Sequence, residues 1–144
     1  MTGPERGRGA LVPMALAALC AVCMSAASVE AQANRQPLKV TAVGMKSSLG
    51  TQNAYQGHCP VRVVFTATIR KTGGPGIVRY VWARSSGEKV GQQVQFGPGN
   101  LQRQVQHIWP VAGHNVERDL WVQLQVAVPE GSPGVQAHFR VKCS

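Results

Sequence analysis

Two carboxylates stand close together in a chain that has very few of them. Glu117 and Asp119 are separated by one residue, and beyond position 33 the only other acids are Glu88 and Glu130. A carboxylate pair is the minimum equipment for glycoside hydrolysis, which needs one group held protonated and the other ionised. Nothing around this pair supplies the rest of such a site, and Arg118 between them, like the other basic residues, favours an ion pair or a solvated pair. His58, His107, His114 and His138 lie on separate segments. They lack the spacing that gathers three or four nitrogen or sulfur ligands around zinc, so no metal site is expected. His107 shares a parity with Val105 and Trp109, which predicts a partly buried, hydrogen-bonded imidazole. There is no Gly-x-Ser-x-Gly elbow. Gly73–Gly76 and Gly97–Gly99 lack the Lys-Ser/Thr of a phosphate loop and read as turns. The chemistry-bearing residues therefore predict no enzyme and no cofactor.

The N-terminus reads as an address. Arg6 and Arg8 precede an apolar, alanine-rich run from Ala10 to Ala27, and Ala31-x-Ala33 closes it with small residues. A charged start, an apolar middle and a small-x-small end make a secretory signal peptide, residues 1–33, with cleavage after Ala33; Ser25-x-Ala27 is a weaker alternative. The competing reading is a retained anchor, since a spanning helix needs about 20 apolar residues. The cleavage pattern outweighs it, leaving no transmembrane anchor and a secreted or periplasmic domain, 34–144. Leu19 before Cys20 and Val22 before Cys23 do not fit a lipoprotein, and Gly7 breaks any twin-arginine pair.

Cleavage changes the cysteine arithmetic. Of four cysteines, Cys20 and Cys23 leave with the leader, so Cys59 and Cys143 can pair in only one way. An oxidising compartment favours that bridge over two free thiols.

The chain of 144 residues carries 15 basic and 6 acidic residues, a net charge of +9, and is 44% apolar with 16 glycines and 9 prolines. That size suits one domain, and the apolar fraction argues against disorder. After Pro37, apolar and polar residues alternate in runs bounded by turn-forming clusters: Leu38–Met45, Val61–Arg70, Ile77–Arg84, Gln92–Phe96, Gln102–Val111, Asp119–Val128 and Val135–Lys142. A repeat of two is the signature of half-buried strands. Val61, Val63, Phe65, Ala67 and Ile69 make one predicted inner row. Leu120, Val122, Leu124, Val126 and Val128 make another, and Val135, Ala137, Phe139 and Val141 a third. Seven such strands predict an all-β, immunoglobulin-like Greek-key sandwich. In that topology Cys59 and Cys143 lie at the same end, so their bridge would join the two sheets.

Cys59-Pro60, Val63-x-Phe65, Tyr80-x-Trp82-x-Arg84-Ser85 and Gly87 together resemble an immunoglobulin-like domain of exported bacterial proteins. So do Val105-x-x-x-Trp109, Trp121-x-x-Leu124-x-Val126 and Ala137-x-Phe139-x-x-x-Cys143. The likeness runs from about residue 38 to the end. It implies an extracellular or periplasmic sandwich bridged from first to last cysteine, and no activity. Ser85-Ser86-Gly87 stands where Ser-Asp-Gly is usual, so an acidic side chain is missing.

In this arrangement Tyr80 and Trp82 are core residues. The outer face of the same sheet would carry Arg79 and Val81, Trp121 and Gln123, and His138, Arg140 and Lys142. Trp121 among Arg79, Arg140 and Lys142 is the candidate ligand-binding group, because Trp and Arg dominate binding hot spots. A scattered surface aromatic beneath arginine stems is the commoner arrangement. The expected function is a non-catalytic binding or structural module of the cell envelope. Its partner would be an anionic envelope polymer, or a protein engaged through a basic face or an unpaired edge strand. The alternative is an inhibitor of a secreted hydrolase that presents Gly97–Asn100 or Ala112–Asn115. Nucleic acid is disfavoured by export and by cations spread along the chain.

Overall fold

From Lys39 onward the alternation becomes strands. The computed structural model describes residues 36–144; the predicted leader, 1–33, and its predicted cleavage point lie outside the described residues. The strands are β1 (Lys39–Ser47), β2 (Ala54–Gly57), β3 (Val61–Thr72), β4 (Gly76–Arg84), β5 (Lys89–Phe96), β6 (Gln102–Val111), β7 (Val116–Val128) and β8 (Gly134–Cys143). They form a three-stranded sheet, β1-β3-β6, and a five-stranded sheet, β2-β8-β7-β4-β5. Every pairing is antiparallel except β2 with β8. From β3 to β8 successive strands therefore reverse direction. The loops after β3, β5 and β7 gather at one end, and those after β4 and β6 at the other.

The core lies between the sheets. Val63, Phe65, Ala67 and Ile69 of β3 face Val78, Trp82, Val122 and Leu124, all without exposure to solvent. Phe65 and Trp109 pack against Phe139 at ring separations of 5.1 and 5.4 Å. Each buried Val, Leu, Ile and Phe among them contributes roughly 1.5–3 kcal/mol by leaving water. The predicted inner rows thus hold for most positions, with Val61, Leu120, Val135 and Ala137 only half-buried.

Two details depart from the alternation. The described residues form eight strands where the repeat predicts seven. The additional one, β2, spans four residues, too few for a repeat of two to stand out. It exists because residues 48–53 turn the chain from the three-stranded sheet to the other. There, Tyr55 pairs with Val141 and donates its hydroxyl to the carbonyl of His58 at 2.8 Å. Val128 is the second departure, 44% exposed although it continues the row of Val122, Leu124 and Val126. The register shifts between Arg79 and Tyr80, which pair with Val128 and Val126, so Ala127 is the additional residue of a bulge. A bulge of this kind reverses the side-chain parity beyond it.

Cys59 and Cys143 are bonded, with Cα atoms 5.4 Å apart, and link the entry to β3 in one sheet with the end of β8 in the other. At the opposite end, Lys71 continues the inner row of β3 yet is buried. Its Nζ donates to the carbonyls of Gly73 and Gly74 at 3.0 and 2.7 Å and lies 5.7 Å over the ring of Phe96. The same loop, between β3 and β4, is tied to the chain entering β1 where Gly74 N–H donates to the Gln36 carbonyl at 2.8 Å. Gly73 sits there at φ 79°, and a Cβ would lie 2.1 Å from the carbonyl oxygen of Pro37. Gly73→Ala is expected to cost at least about 2 kcal/mol in denaturant unfolding. Gly99→Ala, at φ 78° with nothing within 4 Å of the added methyl, should cost only about 1 kcal/mol. Equal costs at the two positions would contradict the close contact with Pro37.

Candidate functional site

The outer face of the five-stranded sheet holds the predicted cluster, and the register divides it. Trp121 is half-buried beside His138, its strand partner, and exchanges backbone and side-chain hydrogen bonds with Ser85. Arg140 pairs with Asp119 and Lys142 with Glu117 across β7 and β8. Trp121, Arg140 and Lys142 therefore share one corner. Arg79 does not belong to it. It pairs with Val128 and Gln93, six residues along β4 from Ser85, or about 20 Å at the rise of a strand.

The charges at that corner cancel. Arg140 donates to Asp119 at 2.7 and 3.4 Å and stands 3.7 Å from Glu117, while Lys142 lies 4.0 Å from Glu117. The hydrogen bond from Arg140 holds the Asp119 carboxyl below its ordinary range, aided by the cation's charge. Both carboxylates are thus tied to cations. Exposed pairs of this kind contribute little to stability, but they remove the local excess of positive charge that would attract an anion.

That excess lies on the other sheet. The strands β1, β3 and β6 contain no acidic residue. Along β3, Val63, Phe65, Ala67, Ile69 and Lys71 point inward, so Arg62, Val64, Thr66, Thr68, Arg70 and Thr72 form the outer row. Register sets Lys46 and Gln106 beside Thr66, Gly44 and Gln104 beside Thr68, and Ala42 and Gln102 beside Arg70. Lys39 lies opposite Thr72. The result is a surface of hydroxyls and amides, with one apolar pair at Val64 and Ile108, and with Lys39, Lys46, Arg62 and Arg70 along it, all four exposed. Among the described residues, none of these four has a carboxylate within 4 Å. Arg62 and Arg70 are eight residues apart on one strand, about 27 Å. Sequence reasoning missed this face because it followed the aromatic residue. The signal available was the lack of any carboxylate in the three runs that build the sheet.

A third constellation is internal. Arg84 shares the inner parity of Val78, Tyr80 and Trp82, and its side chain is only 12% exposed. Its Nε donates to His107 Nε2 at 2.8 Å, its Nη2 to the Ile108 carbonyl at 3.1 Å, and its Nη1 pairs with Glu88. The guanidinium lies 5.1 Å from the Trp109 ring, and His107 stacks on Trp82 at 5.0 Å. This arginine ties β4 to β6 across the sandwich. Burial lowers the His107 pKa, the Arg84 charge lowers it further, and Glu88 opposes them. The expectation of a buried, bonded His107 holds. Arg84 was legible only as an inward-facing charge on a strand.

Beside this cluster a cleft of about 310 Å³ opens between Ser85, Ser86, Trp109, Pro110, Arg118 and Leu120. The turns Gly97–Asn100 and Ala112–Asn115 follow β5 and β6 and so lie at opposite ends of the molecule. They cannot enter one cleft of a partner together. Among the described residues, no three His, Cys, Asp or Glu side chains converge as metal ligands would. No family model matches the chain, and comparison with curated proteins and with solved structures found no match.

Proposed function

We propose that this chain is an exported, non-catalytic binding module of the cell envelope, immunoglobulin-like in design, whose three-stranded sheet holds an anionic polymer. One observation carries the reading: four exposed cations lie along a face built from strands without a single carboxylate. On the opposite sheet, Glu117 and Asp119 neutralise Arg140 and Lys142. Unbalanced charge of one sign raises the local concentration of counter-charged partners and speeds their encounter. Between the cations stand the hydroxyls and amides of Thr66, Thr68, Gln104 and Gln106, which suit the hydroxyls of a polysaccharide, and one apolar pair, Val64 and Ile108. No aromatic ring on that face offers the stacking platform single-stranded nucleic acid uses. A non-catalytic role is supported by the state of the ionisable groups. Asp119 is held ionised by Arg140, and His107 Nε2 accepts a hydrogen bond from Arg84.

Titration with polygalacturonate at increasing salt tests the reading. Affinity should fall steeply with ionic strength, as for other polyion contacts. The combined change Lys46→Ser, Arg62→Ser and Arg70→Ser should weaken binding by at least about tenfold and flatten the salt dependence. Arg140→Ser with Lys142→Ser should leave both nearly unchanged. Equal loss from the two sets, or binding indifferent to salt, would remove the three-stranded face from consideration.

A further inference from the structure

The two sheets have four outer edges, and three of them are protected. β1 has an irregular register between Val40 and Ala42 and carries Lys39 and Lys46. β2 has only four residues. β6 carries Arg103 and Pro110, the latter without an N–H. Bulges, charges, proline and shortness are the devices by which proteins keep edges from pairing. β5 has none of them beyond its first residue. After Lys89 it reads Val90-Gly-Gln-Gln-Val-Gln-Phe96, uncharged and in unbroken register with β4.

Its open side is ordered for pairing. At the hairpin mouth Arg84 N–H donates to the Glu88 carbonyl at 3.0 Å. Bonded pairs in an antiparallel ladder recur every second residue. Val90, Gln92, Val94 and Phe96 therefore turn their backbone groups toward β4, and Lys89, Gly91, Gln93 and Gln95 turn theirs outward. A two-fold axis through Gln93 sets Gln93 against Gln93 of a second copy and Gly91 against its Gln95. Residues of equal parity then meet, so the inner rows of the two copies run on into each other. Val90 comes opposite Phe96 and Gln92 opposite Val94. On the outer face, the Gln95 side chain of one copy stands beside the space left by Gly91 in the other. A shallow groove of about 410 Å³, bordered by Arg79, Val81, Gln93 and Ala127, already exists there. Lys89 falls opposite Gly97 and meets no like charge.

We infer that β5 pairs antiparallel with β5 of a second copy about Gln93, joining two five-stranded sheets into one of ten. The axis is perpendicular to the sheet, so both three-stranded sheets lie on the same side and their cationic faces point the same way. A polymer meeting one face then meets the second at high effective concentration. The pairing itself does not depend on what those faces bind.

Sedimentation of the oxidised protein without polyanion tests the inference. The expected result is a reversible dimer. Gln93→Lys, which sets two lysines against each other at an exposed position, should weaken it by at least about tenfold, with the thermal melt and circular dichroism unchanged. Gln93→Cys should cross-link on oxidation, because directly opposed bonded residues stand about 5.5 Å apart at Cα, within reach of a disulfide. Gln95→Cys, opposite Gly91, should not. A monomer at every concentration overturns the inference. So does a dimer that Gln93→Lys leaves intact, or equal cross-linking at both positions.

Discussion

The double change Cys59→Ala and Cys143→Ala is expected to lower the free energy of unfolding by about 4 kcal/mol. The bridge closes a segment of 84 residues, and the chain-entropy estimate for such a loop is about 4.5 kcal/mol. Topology adds a second reason for a large effect. Cys59 precedes the central strand of the three-stranded sheet, while Cys143 ends β8 inside the other. Without the bond, that end loses the cross-link that joins the entry to β3 with the end of β8. Cys143 is also buried, so its loss leaves a small void near Gly113 and Val116. A domain of this size has roughly 5–15 kcal/mol to lose, so the variant should fold but melt well below the parent. Urea unfolding of both forms, compared at equal m-value, measures the difference. A loss below about 1 kcal/mol would mean that the bridge decorates the fold and does not hold it.

Arg84→Ala should be the second most damaging change, costing about 3 kcal/mol. It removes a nearly buried guanidinium from His107, the Ile108 carbonyl, Glu88 and the Trp109 face at once. Three of these partners, His107, Ile108 and Trp109, lie on β6 of the opposite sheet, and the carbonyl and imidazole left behind lose their donor. Arg84→Lys should recover only part of the loss, because an ammonium cannot span three acceptors in one plane. The same change should alter the response to acid. His107 has its pKa lowered, first by burial and second by Arg84. The folded protein therefore binds that proton less readily than the unfolded chain does. The contribution is fully present above the unfolded value near 6.5 and is lost as pH falls below it. The melting temperature of the parent should drop between about pH 7 and pH 5. With Arg84 gone, one cause of the lowering disappears and the drop should shrink. Asp119, also lowered, loses its contribution only in the more acidic carboxylate range. An unchanged acid response in Arg84→Ala would show that His107 does not feel the guanidinium.

The strand rows were legible because parity is local. Phe65 and Ile69 repeat at two residues, and no knowledge of their neighbours is needed to set them on one face. β2 escaped because four residues are too few to show a period, and Val128 because a bulge cannot be read from alternation. The predicted ligand corner fared differently. Trp121, Arg140 and Lys142 do share a face, as parity requires, but Arg79 lies far along β4. Glu117 and Asp119 sit opposite the very cations expected to be free. Conversely, Lys46, Arg62 and Arg70 look unremarkable on two separate strands, and they become a surface only when β1 and β3 pair.

The order of residues along the chain determined the all-β class, the inward rows, the position of the turns and the single pairing open to Cys59 and Cys143 once a leader is removed. Each follows from a two-residue period, from turn chemistry or from counting. Which cation meets which carboxylate, which face keeps its charge and which edge stays open were decided by tertiary structure alone. Strand order and register bring together residues far apart in the chain, as Ala54 meets Arg140, and a charge is neutralised by what lies opposite it in space.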